Sequence, residues 1–419
     1  MRDTRSGHRA SGRLLVALLA ALAAAALSWP VARAVPARVD EQQLATLQLP
    51  PGFRINVFAE GLGYVRFLAF SPQGDLVATS SSREVAGPNC SGGVCVPNDG
   101  RVFVLPDRDG DGVADQVLVF ADGLDRPQGI AFHNGVLYVA ETGRVLRLLD
   151  RDGDGVADTV EVVVPNLPVG PGHWSRNIAF GPDGKLYVHV GSSCNVCQEE
   201  DERRAAILQY NPDGSGERIF ARGLRNAVGI TFHPTTGELW VTNNGRDLLG
   251  DDFPPEFVTV VRDGDHFGWP FCNVGVPDPD FGHLGDCAQT RLPLVLLPPH
   301  SAPLGLAFYT GQQFPAEYHG DLFVALHGSW NRTEPVGYKV VRIRMAGGAP
   351  GAVEDFITGW LPTDWACANR PGDEARGTAV CRATAWGRPV GLAVGPDGAL
   401  YLSDDLAGVI YRITYAGPR

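Results

Sequence analysis

The chain has 419 residues, and its acidic side chains outnumber the basic ones by 12 at neutral pH. Such a surplus of negative charge repels nucleic acids and anionic membrane surfaces, so we expect neither as a partner. A length of this order usually predicts two or three domains, although a repeat architecture can absorb it in one. The presence or absence of internal repeats therefore decides the expected number of domains.

Residues 1–34 have the composition of a secretory signal. Four arginines precede the apolar run 14–27, and the Ala-Arg-Ala sequence at 32–34 fits a cleavage site with small residues at both ends. The run is short for a transmembrane span, and an uncleaved anchor is the alternative. We expect export to the periplasm or the extracellular space, no stable membrane insertion after cleavage, and one mature domain over residues 35–419.

A strand–turn–strand unit occurs six times after the signal. In its most regular copy, at 178–187, two short apolar runs flank a Pro-Asp-Gly turn. Proline presets φ at the first central position of such a turn, and glycine tolerates positive φ. The copies align on Ala69, Ala131, Ala179, Thr231, Ala307 and Ala393.

The repeated units predict an all-β fold. Their residues alternate with period two and are rich in β-branched and aromatic types. A single hairpin cannot bury its apolar face alone, so six of them in series must pack against one another radially. The sequence therefore predicts a six-bladed β-propeller with loop insertions, and an all-β sandwich is the alternative.

Polar residues stand immediately before each predicted inner strand. In a propeller these strands line an axial channel, and the loops that lead into them gather at one mouth. Most of these positions carry arginine or histidine, so we predict a cationic mouth. Its members are Arg66, Arg126, Gln128, His173, Arg176, Asn177, Arg225, Asn226, His300, Ser301 and Arg388.

Eight cysteines follow the signal. An even number in an exported chain predicts disulfides between near neighbours. The pairs are Cys90/Cys95, Cys194/Cys197, Cys272/Cys287 and Cys367/Cys381. The pair at 194–197 has CxxC spacing, for which a redox or zinc site is the alternative; c-type haem attachment is excluded because no histidine follows it.

Three loops are candidates for binding a hard cation. Segments 107–115 and 150–158 share the sequence DRDGDGVAD, which is typical of the first half of a calcium loop but lacks the closing glutamate. A tight Asp-Gly turn between outer strands is the favoured interpretation of both. The acidic segment 243–252 offers carbonyls and carboxylates to a cation, or is a solvated turn.

His173 is the candidate general base of the mouth. An imidazole with an ordinary pKa near 6.5 accepts a proton at neutral pH. Neighbouring arginines would lower that pKa and keep the ring neutral, and they would also attract an anionic ligand. A structural histidine at the start of a strand is the alternative.

Several motifs in a fixed order resemble the soluble glucose/sorbosone dehydrogenase family. They are GHWSRN at 172–177, FGPDGKLY at 180–187, GLRN at 223–226, FGWP at 267–270, HGSWNR at 327–332 and GRPVG at 387–391. The resemblance covers residues 49–415. It implies a six-bladed propeller that binds pyrroloquinoline quinone (PQQ) over the axial channel, with Ca²⁺ beside it. The implied activity is oxidation of a sugar or alcohol at a CH–OH or aldehyde group, with an unidentified electron acceptor.

The resemblance also implies roles for individual residues. A histidine matching His173 takes the substrate's hydroxyl proton while hydride passes to the quinone and calcium acts as a Lewis acid. The residues expected at the cofactor are Gln128, Arg225, Asn226, Arg332 and Arg388. The residues expected at calcium are Gly245 and Arg246.

Two other functional classes remain open at this stage. A calcium-dependent hydrolase, such as a lactonase, can occupy the same kind of propeller but needs carboxylates and asparagines that converge on the axis. A secreted binding propeller needs no base at all, and a fold by itself does not choose between these functions.

Overall fold

The structure is a computed structural model that describes residues 39–81, 99–369, 373 and 380–417. The predicted signal at 1–34 and the predicted pair Cys90/Cys95 lie outside the described residues. Within the described part, no helix is both long enough and apolar enough to span a membrane.

The described chain begins with a short helix, α1 (Glu41–Thr46), and a strand, β1 (Phe53–Ala59). Asp40 starts the helix with a capping box: its carboxylate accepts a hydrogen bond from the amide of Gln43, whose side chain accepts one from the amide of Asp40. Two orphan amides are thereby satisfied at the helix start.

Blades 1 to 3 are four-stranded antiparallel sheets of consecutive strands. Blade 1 contains β2 (Tyr64–Phe70), β3 (Leu76–Ser81), β4 (Gly100–Leu105) and β5 (Leu118–Leu124). Blade 2 contains β6 (Ile130–His133), β7 (Val136–Ala140), β8 (Val145–Leu149) and β9 (Thr159–Val164). Blade 3 contains β10 (Ile178–Phe180), β11 (Leu186–Val190), β12 (Ala206–Tyr210) and β13 (Arg218–Arg222).

Blade 4 carries an insertion before its outer strand. Its strands are β14 (Ile230–Phe232), β15 (Leu239–Asn243), β16 (Glu256–Val261) and, after the insertion, β19 (Val295–Leu297). The insertion holds a hairpin of β17 (Cys272–Asn273) and β18 (Val276–Pro277) and two 3₁₀ turns, Gly282–Leu284 and Cys287–Gln289.

Blades 5 and 6 complete the ring. Blade 5 contains β20 (Pro303–Phe308), β21 (Leu322–Leu326), β22 (Lys339–Ala346) and β23 (Ala349–Ile357), with a 3₁₀ turn at Ala316–Tyr318. Blade 6 contains β24 (Pro389–Val394), β25 (Leu400–Asp404), β26 (Val409–Tyr415) and, at its outer edge, β1.

The ring closes through both ends of the described chain. Strand β1 pairs antiparallel with β26, from Phe53 opposite Tyr415 to Ala59 opposite Ile410. The first strands of the blades also contact one another in a closed circuit, from β2 through β6, β10, β14, β20 and β24 back to β2. The six-bladed propeller is confirmed, and the alternative sandwich is excluded.

Each repeat copy forms the two innermost strands of one blade, and the six aligned residues all lie in the inner strand. Glycine stands at or near the start of several of these strands, because the next blade's backbone is too close for a side chain. A Cβ at Gly229 would lie 2.1 Å from the carbonyl oxygen of Leu304, and one at Gly305 would lie 2.3 Å from that of Val390. The repeated glycine therefore sets how closely neighbouring blades approach.

Side-chain hydrogen bonds add to this contact between blades. Thr79 Oγ1 donates to the carbonyl of Gln128 at 2.6 Å, and Thr242 Oγ1 donates to that of Leu304 at 2.9 Å. Both bonds are buried, so they satisfy groups that water does not reach.

Three of the predicted disulfides are present: Cys194–Cys197, Cys272–Cys287 and Cys367–Cys381. The two DRDGDGVAD segments connect the third and outer strands of blades 1 and 2, as the turn interpretation predicts. Within them, Asp107 and Asp150 accept hydrogen bonds from backbone amides of their own loops.

The inner strands enclose a cavity of about 440 Å³ along the axis. Apolar residues such as Phe180, Phe232 and Phe308 line it, together with the aligned Thr231. These residues lie toward the ends of the inner strands, whereas the predicted mouth lies at their starts. The two ends of the axis therefore differ in chemistry.

Candidate active site

The loops before the inner strands meet at one mouth, as predicted. The ring of Trp174 lies 5.9 Å from the guanidinium of Arg66 and 5.4 Å from that of Arg126. These three residues precede or begin the inner strands of blades 3, 1 and 2, so the starts of separate blades are in contact. The tryptophan is also the chain neighbour of His173.

His173 is half-buried at this mouth. Its Nδ1 lies 3.1 Å from the carbonyl oxygen of Ser192 and 3.0 Å from the Ser192 hydroxyl. Because a carbonyl only accepts, the proton belongs on Nδ1, which leaves the lone pair on Nε2. Burial, and then the charge of Arg225, hold the pKa of His173 well below its usual range, so the ring is neutral. A neutral imidazole with an open Nε2 can accept a proton.

Arg176 supports the His173 loop through its two Nη groups. It is 1% exposed, and it donates to the carbonyls of His173 at 2.8 Å, Ser175 at 2.7 Å and Pro168 at 2.5 Å. Burial lowers its pKa to about 9, with Arg204 and Arg126 adding to the effect. This member of the predicted cationic mouth is therefore a structural arginine.

Arg225 is also fully engaged by the protein. Its Nε donates to the carbonyl of Asn195 at 2.9 Å, and its Nη1 to that of Gly245 at 2.5 Å. Its Nη2 donates to the side chains of Asn195 at 2.9 Å and Asp247 at 2.6 Å. The guanidinium thus keeps its positive charge at a fixed place, while its N–H groups are directed to neighbouring loops.

Asn226 and His189 lie beside this arginine. Within the described chain, Asn226 Oδ1 and both ring nitrogens of His189 make no hydrogen bond of good geometry, although the two side chains interact, and His189 is 0% exposed. Burial lowers the pKa of His189 to about 3, and Arg176 contributes to that shift. His189 is therefore a second neutral imidazole, placed in β11 behind His173.

Arg388 stands on the opposite side of the mouth and is half-buried. Its Nε donates to the carbonyl of His327 at 2.9 Å and its Nη2 to that of Gly328 at 2.7 Å. Among the described residues, Nη1 has no hydrogen-bond partner. Arg388 therefore has donor capacity left for a ligand, unlike Arg225.

A buried ionic cluster lies under Arg388. Asp405 binds Nε2 of His327 at 2.9 Å and pairs with Arg66. Although burial acts to raise it, the pKa of Asp405 is held below its usual range by His327 and Arg66. Burial, and then Arg388, lower the pKa of His327 to about 4. Its Nδ1 has no protein partner in the described chain, so this imidazole also keeps an open acceptor.

Gln128 is placed at the mouth as predicted. It is 0% exposed, and neither atom of its side-chain amide has a hydrogen-bond partner among the residues that the structure describes. Buried amides of this kind are rare, because an unsatisfied polar group costs about 1–3 kcal/mol. Gln128 is therefore a site of unused hydrogen-bonding capacity.

Arg332 and His300 hold the acidic loop at 243–252. Arg332 donates to the carbonyl of Asp251 and, at 3.1 Å, to that of Glu334. His300 Nε2 bonds the carbonyl of Gly250 at 2.9 Å, and its Nδ1 accepts from Asn331 at 3.2 Å. Both ring nitrogens of His300 are therefore occupied, which leaves it no role as a base.

The predicted calcium loop makes several bonds to the rest of the protein. The Gly245 carbonyl accepts from Arg225, its amide donates to Glu256 at 2.5 Å, and the Arg246 side chain pairs with Asp278 and Asp280. Burial raises the pKa of Glu256 to about 8. Calcium binds six to eight oxygens, and these residues do not present such a set. Calcium at Gly245 and Arg246 therefore stays a prediction.

Most buried side-chain atoms without a partner in the described chain lie around this mouth. The set includes atoms of Arg66, Gln128, Arg176, His189, Asn226, Ser301 and Asn331. Native proteins leave few such atoms, and each needs an explanation. Their concentration at one end of the axis indicates a polar ligand or ordered water.

Three residues of the site were not found from the sequence. Asn195 and Asp247 bind Arg225, and Asp405 orients His327. Asn195 stands between two cysteines, and their spacing predicts a disulfide but no role for the residues inside it. Asp405 belongs to a turn after an inner hairpin, where adjacent aspartates are common without function.

Comparison with known proteins places the chain in a family. A family described as a domain of unknown function, DUF7133, matches residues 40–414. The chain belongs to this family. This DUF7133 protein is 35% identical to an uncharacterized protein of Borreliella burgdorferi, over 56% of this chain and 58% of that protein. It is 29% identical to a PQQ-dependent pyranose dehydrogenase of Coprinopsis cinerea, over 54% of this chain and 37% of that enzyme.

The fold of the DUF7133 chain has solved counterparts. The PQQ domain of pyranose dehydrogenase from Coprinopsis cinerea, in its holo form, superposes with a TM-score of 0.69 at 23% identity, over 88% of this chain and 97% of that domain. Such likeness shows the fold. The resemblance inferred from the motifs is confirmed, because relatives and structural neighbours include a PQQ-dependent pyranose dehydrogenase and aldose sugar dehydrogenases, one of them in a PQQ-bound form. In the two curated relatives, the match spans less than two thirds of their length.

Proposed function

We propose that this protein is a PQQ-dependent oxidoreductase of sugars or related alcohols. The observation that carries the proposal is the set of unsatisfied buried polar atoms and neutral imidazoles gathered at the channel mouth. The names of relatives and of structural neighbours support it, since they include PQQ-dependent pyranose and aldose sugar dehydrogenases.

The mouth suits an anionic, planar ligand. PQQ carries three carboxylates, and Arg388 has an open Nη1 to pair with one of them. Gln128 and Asn226 offer amide atoms that lack partners. Arg225 would act through its fixed positive charge, and Arg332 by holding the loop at 243–252. Bound PQQ would supply the hydride acceptor.

His173 would act as the general base. Its Nδ1 proton is held by Ser192, so Nε2 can take the proton of a substrate hydroxyl. The low pKa keeps the ring unprotonated before the reaction, because burial and Arg225 disfavour the imidazolium. An anionic ligand beside Arg225 offsets part of that charge and would make the ring a stronger base.

The proposal also includes calcium binding, export from the cytoplasm and an electron acceptor. The calcium expectation rests on the resemblance alone. In the structure, the Gly245 carbonyl already accepts a hydrogen bond from Arg225. Disulfides are typical of exported proteins and support export to the periplasm or beyond. The reaction needs an acceptor that reoxidises the cofactor.

Reconstitution tests the proposal directly. Purified protein is loaded with PQQ, with and without calcium, and reduction of an artificial dye is followed across a panel of sugars and alcohols. We expect turnover of at least one sugar that depends on PQQ. Saturable PQQ binding with no substrate oxidised would instead favour a binding propeller. Calcium-dependent hydrolysis of a lactone, without PQQ, would favour the hydrolase.

A further inference from the structure

Asn195 lies between Cys194 and Cys197, at the edge of the mouth. We propose that Asn195, held in this disulfide loop, is a positioning residue that fixes the Arg225–Asp247 ion pair. The inference rests on the proposed function, since the purpose of the fixed guanidinium is to bind an anionic cofactor.

Asn195 makes five hydrogen bonds to other parts of the chain. Its carbonyl accepts from Arg225 Nε at 2.9 Å and from Trp269 Nε1 at 3.3 Å. Its Oδ1 accepts from Arg225 Nη2 at 2.9 Å and from the Asp247 amide at 2.8 Å. Its Nδ2 donates to the Asp247 carbonyl at 3.0 Å. One residue therefore joins the loops that follow β13 and β15.

The disulfide that encloses Asn195 has little to contribute to global stability. It links residues three apart, whereas the other two bridges in the described chain link residues 15 and 14 apart. The entropy that a cross-link removes from the unfolded chain grows with the length of the closed loop. The effect of the short bridge is therefore on the shape of its own loop.

The same loop reaches His173. Ser192, which binds the imidazole, donates its hydroxyl to the carbonyl of Cys194 at 2.7 Å. The amide of Ser192 donates to the carbonyl of Arg225 at 2.8 Å. The loop thus links the candidate base with the fixed arginine.

Fixing an arginine before a ligand arrives has an energetic consequence. A free arginine loses rotamer entropy when it is immobilised on binding, and that loss weakens the binding. An arginine already held by Asn195 avoids that loss. Releasing it should therefore weaken cofactor binding while the fold is retained.

Three variants test the role. Asn195→Ala removes the side-chain bonds, and the double variant Cys194→Ser with Cys197→Ser releases the loop. Asn195→Asp keeps the oxygen that accepts from Arg225 and the Asp247 amide. The matched control is Cys367→Ser with Cys381→Ser, which opens a longer loop whose described residues make no hydrogen bond to Arg225, Asp247 or Asn195.

Hydrogen exchange of the cofactor-free protein is the first measurement. Residues 243–252 should exchange about tenfold faster in Asn195→Ala and in the 194/197 double variant, and less than that in Asn195→Asp, which loses only the bond from Nδ2 to the Asp247 carbonyl. The control should lose thermal stability with exchange at 243–252 unchanged. Unaltered exchange in both loosened variants would overturn the proposal, whether or not PQQ binds.

PQQ titration is the second measurement. The dissociation constant should rise about five- to tenfold in the two loosened variants and stay within about threefold of wild type in Asn195→Asp. Equal affinity in all three variants would overturn the functional part of the inference. If wild type itself binds no PQQ, the proposed function fails, and the exchange data still decide whether Asn195 fixes the loop.

Discussion

The two ends of the propeller axis are built from the same six inner strands and differ in almost every other respect. The far end is a cavity lined mainly by apolar side chains that repeat from blade to blade, with Thr231 and Thr310 among them. The mouth is irregular: each blade contributes a different polar residue, and several buried atoms lack partners. The repeat thus accounts for the fold, and the departures from it account for the site.

The largest effect on turnover is expected from a substitution of His173 at the mouth. Changing His173 to Gln removes the proton acceptor, so turnover should fall about 10²–10⁴-fold while PQQ affinity changes little. The wild-type rate should decline as pH falls through the imidazole pKa, because the protonated ring accepts no proton. Stopped-flow reduction of the loaded enzyme across pH checks both points.

His327→Gln is the matched control for that experiment, because this imidazole also keeps an open nitrogen. Near wild-type turnover in His173→Gln, with a large loss in His327→Gln, would transfer the role of base to the Asp405-bound histidine. His300 is not a third candidate, since both of its ring nitrogens are bonded.

The next effect is a loss of stability from a substitution at the contact between two blades. Gly305→Ala places a methyl group against the Val390 carbonyl, so the two blades must separate. Overpacking of this kind costs about 1–3 kcal/mol. Urea denaturation should show that loss of unfolding free energy. An equal substitution at Gly320, where the space for a Cβ is open, controls for the change of residue, although positive φ adds some strain there.

A third effect concerns acid stability and His189. Its folded pKa of about 3 lies below the unfolded value near 6.5, so the unfolded chain binds a proton first as pH falls. The stabilisation is therefore complete above pH 6.5 and is lost between about 6.5 and 3, by about 1.4 kcal/mol per pH unit for one proton. His189→Gln should flatten that slope in denaturation curves; an unchanged slope would assign it to other groups.

The smallest effect on PQQ affinity and turnover is expected from a substitution at the far end of the axis. Thr231→Val conserves volume in the cavity lining, away from the mouth. PQQ affinity and turnover should stay within about threefold of wild type, because Thr231 lies inside an inner strand and not in a loop of the mouth. A loss larger than tenfold, measured by titration, would extend the functional region along the whole axis.

The sequence predicted the fold well because the repeat is local and periodic: the alanine and glycine positions identify the inner strands. It also predicted which loops meet at the mouth. It did not predict how their arginines are used. Arg176 and Arg225 turn to carbonyls and to Asp247, and those partners come from distant loops or from backbone atoms with no sequence signature. The residues that orient the site, Asn195 and Asp405, were missed for the same reason.

The most direct test of the account is an equilibrium titration of cofactor-free protein with PQQ, comparing wild type, Arg388→Ala and Thr231→Val. The account predicts saturable binding to wild type and to Thr231→Val, with affinity about 10–100-fold weaker in Arg388→Ala, the equivalent of about 1.5–3 kcal/mol for a hydrogen bond to a charged group. Equal affinity in all three proteins, or no binding to wild type, would contradict the claim that the mouth is a PQQ site.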